Sequence, residues 1–169
     1  IAGRAMLDHL LASVDELGPA KTVLVVGHGR EQLEKATAGR AETALQEPQL
    51  GTGHAVQQAQ AALAGFAGDV LILYGDVPFV RAQTLKTMLA RLHAEDAPAV
   101  VVLGFEPAEA GHYGRVIADE KGVIAKMVEF KDASEGERAC TLCNSGLMAV
   151  RAADLFDLLD RVGNDNAQG

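Results

Sequence analysis

Three stretches of the chain put polar side chains where backbone geometry could aim them at a ligand. The first is Leu45-Gln46-Glu47-Pro48-Gln49-Leu50-Gly51-Thr52-Gly53-His54-Ala55, in which a strand-like run gives way to two Gln amides and a Gly-Thr-Gly turn. A Gln amide carries both donor and acceptor groups and so can match an imide edge such as that of uracil. Glycines allow close backbone approach, and the start of a helix favours a carbonyl or anionic group. The same turn would serve equally well simply to open a helix.

The second stretch is Leu73-Tyr74-Gly75-Asp76-Val77-Pro78, with an acid directly after the apolar run Asp69-Val70-Leu71-Ile72-Leu73-Tyr74. Open α/β sheets place their ligands at the carboxyl ends of buried strands. A carboxylate there suits Mg²⁺, which takes oxygen ligands and commonly bridges one or two carboxylates to a substrate phosphate. The alternative is an Asp that caps the turn before Pro78. The third set is His112-Tyr113-Gly114-Arg115, then Glu129, then Asn144-Ser145-Gly146. Polar groups at successive strand ends can converge on a polyhydroxylated ligand, which needs paired donors and acceptors. Singly, each would pass as a solvated or structural residue.

The elements that must carry these groups follow from periodicity. Met6, Leu7, Leu10, Leu11, Val14 and Leu17 recur at helical spacing, and Gly18-Pro19 ends that helix. Thr22-Val23-Leu24-Val25-Val26-Gly27 is a continuous apolar run, as expected of a strand covered on both faces. Helices are predicted over 30–38, 51–64 and 82–93, the last with an N-cap, and strands near 43–45, 69–74 and 99–105. Arg115-Val116-Ile117-Ala118 and Val123-Ile124-Ala125-Lys126-Met127 flank Asp119-Glu120-Lys121-Gly122, a hairpin signal. A short helix within 132–138, a strand at 146–150 and a helix at 152–161 with Leu155, Leu158 and Leu159 inward complete the chain. Alternating strands and helices imply right-handed crossovers. The expected fold class is therefore α/β: one doubly wound domain with a mostly parallel, Rossmann-like sheet and a late β-hairpin insertion.

Composition agrees and excludes several classes. The 169 residues are 49% hydrophobic and 22% charged, which is neither disordered nor membrane-spanning, and a chain of this length suits one domain. Aromatics make up 4% with no Trp, a mix that favours layered α/β over an aromatic-rich sandwich. Fifteen Lys and Arg against 23 Asp and Glu give a net charge of −8, without the basic clustering a nucleic-acid reader needs. No run of 18 apolar residues exists and no signal peptide is evident at the start, so the expected location is the cytoplasm. Cys140-Thr141-Leu142-Cys143 lacks the second ligand pair of a structural zinc site and precedes a strand, so two free thiols are expected. His28, His54 and His93 have no evident ligand partners, and no G-x-S-x-G motif occurs.

Taken in order, Gln46–Ala55, Leu73–Pro78, Gly111-His112-Tyr113-Gly114-Arg115-Val116, Val128-Glu129-Phe130-Lys131-Asp132-Ala133 and Cys143-Asn144-Ser145-Gly146 resemble the motifs of the bacterial N-acetylglucosamine-1-phosphate uridylyltransferases. Asn164-Asp165-Asn166-Ala167-Gln168-Gly169 looks like that family's Asn-Ala-Gln-Gly segment. The resemblance implies a nucleotide-diphospho-sugar transferase fold. It also implies uridylyl transfer from UTP to N-acetylglucosamine 1-phosphate with Mg²⁺. The products would be UDP-N-acetylglucosamine and pyrophosphate, for cell-wall and lipopolysaccharide precursor synthesis. By motif position, Gln46 would contact uracil, with Gly51 and Thr52 supporting the base. Tyr74, Gly75 and Asp76 would line the nucleotide-sugar cleft, with Asp76 as the catalytic metal ligand. Gly114, Glu129 and Asn144 would hold the sugar. The alternatives are another sugar-1-phosphate nucleotidyltransferase, or a non-catalytic sugar-nucleotide-binding module.

The chain also departs from that family. The glycine-rich phosphate loop and its following Lys would precede Ile1-Ala2-Gly3-Arg4, a second metal ligand would lie beyond Gly169, and position 5 is Ala where Pro is common. The left-handed β-helix acetyltransferase half, through which the family forms oligomers, is absent too. On this reading residues 1–169 are an incomplete nucleotidyltransferase domain, inactive alone. Its missing first strand would lie between those at 22–26 and 69–74. Unpaired apolar edges there would make the stretch fold poorly alone, which a cooperative unfolding transition of a monodisperse sample would refute.

Overall fold

A computed structural model describes residues 3–27, 30–37 and 39–162. The expected Asn-rich segment at 164–169, His28 and Ile1-Ala2 lie outside them. Helix α1 (Met6–Asp15) buries Leu10 and Leu11, and Gly18 at φ +62° turns the chain out of it, a conformation that suits glycine. Strand β1 (Val23–Val26), helix α2 (Arg30–Ala36) and strand β2 (Glu42–Leu45) then make a right-sized crossover unit. β1 and β2 pair in parallel, Val23 opposite Glu42 through Val26 opposite Leu45. Helix α3 (Thr52–Gln58) is shorter than the predicted 51–64. From Ala59 the chain continues mainly as overlapping tight turns (Ala59 N–H to Val56 O, 3.0 Å; Gln60 N–H to Gln57 O, 3.1 Å), with the Leu63 N–H returning to Ala59 O at 3.0 Å, so the Ala-rich pattern persists as irregular turns rather than as a continued helix.

The larger sheet holds β3 (Asp69–Ile72), β4 (Val100–Phe105), β5 (Arg115–Ala118), β6 (Ile124–Val128) and β7 (Cys143–Arg151). β7 runs antiparallel to β3, β4 and β5, and β5 to β6. Since β3 and β4 both oppose β7, they point the same way, as a doubly wound domain requires, but β7 lies between them. The α/β alternation is therefore as expected, while among the described residues the parallel ladder is that of β1–β2 and the pairings of the larger sheet are antiparallel. Nothing in the run at 146–150 distinguishes a returning strand from a forward one. The hairpin forms as predicted: Asp119 Oδ1 accepts from the N–H groups of Lys121 and Val123, both at 2.9 Å, and Gly122 sits at φ +78°.

Helix α4 (Ala82–Leu92) packs on this sheet, and Leu85, Leu92, Leu147 and Ala149 are fully buried with Met88 and Val80 beside them. Its expected N-cap does not occur, since Arg81 precedes it without a capping side chain. Helix α6 (Ala152–Asp160) buries Leu155, with Leu158 and Leu159 half-buried.

β1 and β3 are not neighbours. Among the described residues β1 pairs only with β2, and β3 only with β7, so each has an open edge. Both strands, with α1 and α3, wall a cavity of about 540 Å³ lined by groups such as Leu10, Val25, Val56 and Leu71.

Helix α5 (Glu135–Arg138) is a single turn held by a capping box. Ser134 Oγ accepts from the Glu137 N–H at 3.3 Å, while the Glu137 carboxylate accepts from the Ser134 N–H at 2.7 Å. Lys126 on β6 reaches the same carboxylate at 2.5 Å. The Lys126 ammonium first, then the Ser134 N–H and hydroxyl, hold the Glu137 carboxyl down to about 2 from an ordinary 4.5. A carboxyl depressed on folding stabilises the folded state above its unfolded value and loses that contribution as pH falls through the folded one. The α5–β6 contact should thus weaken between about 4.5 and 2. In an NMR titration the Glu137 carboxyl signal is expected to move near the lower value; a midpoint at the ordinary one would contradict the pairing.

Candidate functional site

Gln46 follows β2 and extends its ladder, its N–H bonding Val26 O at 2.8 Å. The side chain is 8% exposed, and its Nε2 donates to Gly51 O at 2.8 Å and meets His54 Nδ1 at 3.2 Å. A carbonyl can only accept, so the Gly51 contact fixes which end of the amide is nitrogen. Both amide donors are then committed, and Oε1 is the group left to accept from a ligand. Gly51 adopts φ +109°, and Thr52 begins α3 on the wall of the cavity. The turn does open a helix, as the alternative reading had it, and Gly51 caps it without a side-chain bond. His54, without evident partners in the sequence, proves to be the support of Gln46. Eight residues across a strand end, a loop and a helix start carry no periodic signal. Gln49 lies over Gly27 so closely that a Cβ there would sit 1.8 Å from its Nε2.

Asp76 follows β3 through a turn in which the Val77 N–H bonds Tyr74 O at 3.1 Å. Gly75 and Asp76 are exposed. Among the described residues the Asp76 carboxylate has no hydrogen bond or ion pair, and α4 starts only at Ala82, so Asp76 does not cap it. No group of three His, Cys, Asp or Glu gathers to hold a metal among the described residues. One free, hard carboxylate fits Mg²⁺, which keeps waters and takes substrate phosphate oxygens, and does not fit a closed protein cage.

The third set does converge. Asn144 is in β7 and donates its N–H to Gly114 O at 2.9 Å. A Cβ on Gly114 would stand 3.3 Å from Glu129 Oε1, so the carboxylate of Glu129 lies directly against the Gly114 backbone. Asn144 Oδ1 accepts from the Gly146 N–H at 2.8 Å. Gly146, at φ +80°, bends β7 under the ring of Tyr74, which its Cβ would meet at 2.3 Å. Ser145 secures the bend, donating to Leu103 O at 2.6 Å and accepting from the Leu147 N–H at 3.2 Å. Tyr74, Gly114, Glu129 and Asn144 thus form one contiguous patch, continued by Gly75 and Asp76. Gln46, Gly51 and Thr52 form a second cluster, and Thr52 of this cluster and Tyr74 of the other both line the cavity between β1 and β3. Gly146 stands in the third candidate set only as part of its motif, and Gly27 only as the end of an apolar run; both matter through a neighbour distant in sequence.

Cys140 and Cys143 are free thiols, as expected. His93 Nε2 pairs with Asp69 at 2.7 Å at the start of β3. Among the described residues no helix is long and apolar enough to cross a membrane.

The chain is 72% identical over 169 residues to the "Bifunctional protein GlmU" of Novosphingobium aromaticivorans, covering all of this chain and 37% of that one. The same-named protein of Rhizorhabdus wittichii is 61% identical over 170 residues, at 100% and 38% coverage. The chain therefore spans little more than a third of the length of these relatives. Among solved structures, it resembles CMP:2-keto-3-deoxy-manno-octonic acid synthetase complexed with CTP (TM-score 0.72, 19% identity, 98% of this chain and 70% of that one). It also resembles UDP-glucose pyrophosphorylase complexed with UDP-glucose (TM-score 0.70, 18% identity, 95% and 70%). At such identities these two likenesses show the shared fold. A family model for the MobA-like NTP transferase domain matches residues 1–143, and the chain belongs to that family.

Proposed function

We propose that this chain supplies the nucleotide-sugar side of an enzyme that transfers uridylyl from UTP to N-acetylglucosamine 1-phosphate. The observation that carries the reading is the contiguous patch of Tyr74, Gly114, Glu129 and Asn144, drawn from four motifs distant in sequence and joined by contacts that include Gly146. The high identity to bifunctional relatives supports it. Gln46 Oε1 would accept from the imide N–H of uracil, with Gly51 and Thr52 beneath the base. Glu129, the Gly114 backbone and the Asn144 amide would take the hydroxyls and N-acetyl group of the sugar.

In that reaction a phosphate oxygen of the sugar phosphate forms a bond to the α-phosphorus of UTP while the bond to the pyrophosphate oxygen breaks. The pyrophosphate leaves with the electron pair. No protein nucleophile is required, so the task of these residues is orientation: holding base and sugar fixed makes the encounter effectively unimolecular. Asp76 would hold Mg²⁺, whose chemistry is to neutralise phosphate charge as it develops. We take residues 1–169 to be part of a longer cytoplasmic protein. Its phosphate-binding groups and oligomer contacts would lie outside this stretch, which would then be inactive by itself.

The test is a panel of nucleoside triphosphates and sugar 1-phosphates offered to the full-length protein. Preference for UTP with N-acetylglucosamine 1-phosphate supports the proposal. Preference for another pair moves the chain to a different sugar-nucleotide synthesis, and binding of UDP-N-acetylglucosamine without turnover with any pair leaves a binding module. Asn144→Ala and Glu129→Ala should each weaken UDP-N-acetylglucosamine binding by about 1–3 kcal/mol, the cost of a hydrogen-bond partner lost to a sugar that covers it on binding. Calorimetry with the two variants checks this, and unchanged affinity in both would remove the sugar pocket from this patch.

A further inference from the structure

Arg115 is the first residue of β5 and is 2% exposed, among the most buried polar side chains described. Taking a guanidinium out of water is costly unless its donors are met, and the usual partner is a carboxylate. Among the described residues, none pairs with it. Instead its donors reach backbone carbonyls. Nη2 donates to Gly111 O at 3.1 Å, Nη1 to Tyr113 O and to Ala110 O at 3.4 Å, and Nε to Arg138 O at 3.4 Å. Nη1 also lies 3.9 Å from Cys143 Sγ, and the ring of Phe130 stands 5.5 Å from the guanidinium carbon. Three of these carbonyls belong to the loop 110–113 that delivers Gly114, in which Gly111 takes φ +44°. The fourth ends α5, and Phe130 directly follows Glu129.

A buried cation spent on loop carbonyls trades charge pairing for geometry. The planar five-donor fork of Arg can hold several carbonyls at fixed angles, which the point charge of Lys cannot. We infer that Arg115 is a positioning residue for the sugar side of the site. It clamps loop 110–113 and the Phe130 segment together, and so holds Gly114 against both Glu129 and Asn144. The inference rests on the uridylyl-transfer reading for the identity of the ligand and on the contacts above for the clamp. The clamp lies wholly on the sugar side, and Gln46, Gly51 and Thr52 share no contact with it. Its loss should therefore be felt by one substrate and not the other.

The experiment is Arg115→Lys in the full-length protein, with both Michaelis constants measured separately and Asn144 amide exchange followed as a readout without substrate. We expect the KM for N-acetylglucosamine 1-phosphate to rise at least about tenfold, with the KM for UTP within about twofold of the parent. The Asn144 amide, which donates to Gly114, should exchange at least about tenfold faster. A general structural role would raise both constants together, and that result overturns the inference, as does an unchanged sugar constant. If the Lys variant does not fold, Phe130→Leu decides the matter. It removes the ring that lies 5.5 Å from the Arg115 guanidinium carbon and 4.7 Å from that of Arg138, whose carbonyl Arg115 holds, but keeps an apolar side chain; the same one-sided rise, about two- to fivefold, is expected, and no change overturns the clamp. A parent protein that transfers no uridylyl group overturns the proposed function instead, and the amide exchange of Asn144 then judges the clamp alone.

Discussion

Asp76→Ala is expected to remove Mg²⁺-dependent turnover from the full-length protein while UDP-N-acetylglucosamine still binds measurably. The carboxylate is exposed at the end of β3 and, among the described residues, is held by no hydrogen bond or ion pair, so its loss leaves no neighbour unpaired and should barely touch stability. Its value to the reaction is another matter. A carboxylate that fixes a divalent cation on phosphate is worth several kcal/mol of charge stabilisation, roughly a thousandfold or more in rate. The sugar contacts proposed for Glu129, Gly114 and Asn144 would be unaltered by the change, so product affinity should fall far less than rate. Initial rates across a Mg²⁺ series, set beside calorimetric binding of UDP-N-acetylglucosamine, separate the two. A variant that turns over like the parent would show that Asp76 holds no metal.

Gly146→Val should be nearly as damaging, by a different route. At φ +80° a side chain is strained whatever surrounds it, and an L-residue there costs about 1–2 kcal/mol. The added Cβ would also stand 2.3 Å from the Tyr74 ring, so the ring or the β7 bend must move. Overpacking of this kind adds about 1–3 kcal/mol. The bend is where Asn144 Oδ1 accepts the Gly146 N–H, so displacing it also misplaces Asn144. The expected result is a marked loss of stability together with weaker sugar binding, read by denaturant unfolding and by calorimetry on the same sample. A pairing of Gly146→Val with Tyr74→Ala tells strain from clash. If the clash matters, the second change recovers part of the loss, and the backbone share remains. No recovery at all would mean that the ring is not what the new side chain meets.

How far the residue pattern reaches is clearest in these same elements. α1, α4 and α6 are legible because apolar residues recur at helical spacing, and β1, β3 and β4 because short apolar runs end at glycine or at polar turns. The hairpin at 115–128 is legible from its turn residues alone, since Asp119 and Gly122 do locally what their types allow. The polar sets at 46–52, 74–76 and 114–144 are legible as candidates because they stand at the ends of those runs. All of this is information carried by neighbours a few residues apart.

What the pattern does not carry is pairing across the chain. The direction of β7 depends on which edges are free to receive it, so within the expected α/β fold the pairings around it are antiparallel, with β3 and β5 along one edge and β4 along the other, while β1 and β2 pair in parallel. The same holds for His54 beneath Gln46, Tyr74 over Gly146, and Arg115 among the carbonyls of 110–113. Each is a contact set by packing in three dimensions, between groups whose types alone are compatible with many partners. Local periodicity specifies where a side chain leaves the backbone; the neighbour it then meets is settled by burial and hydrogen-bond satisfaction over the whole fold.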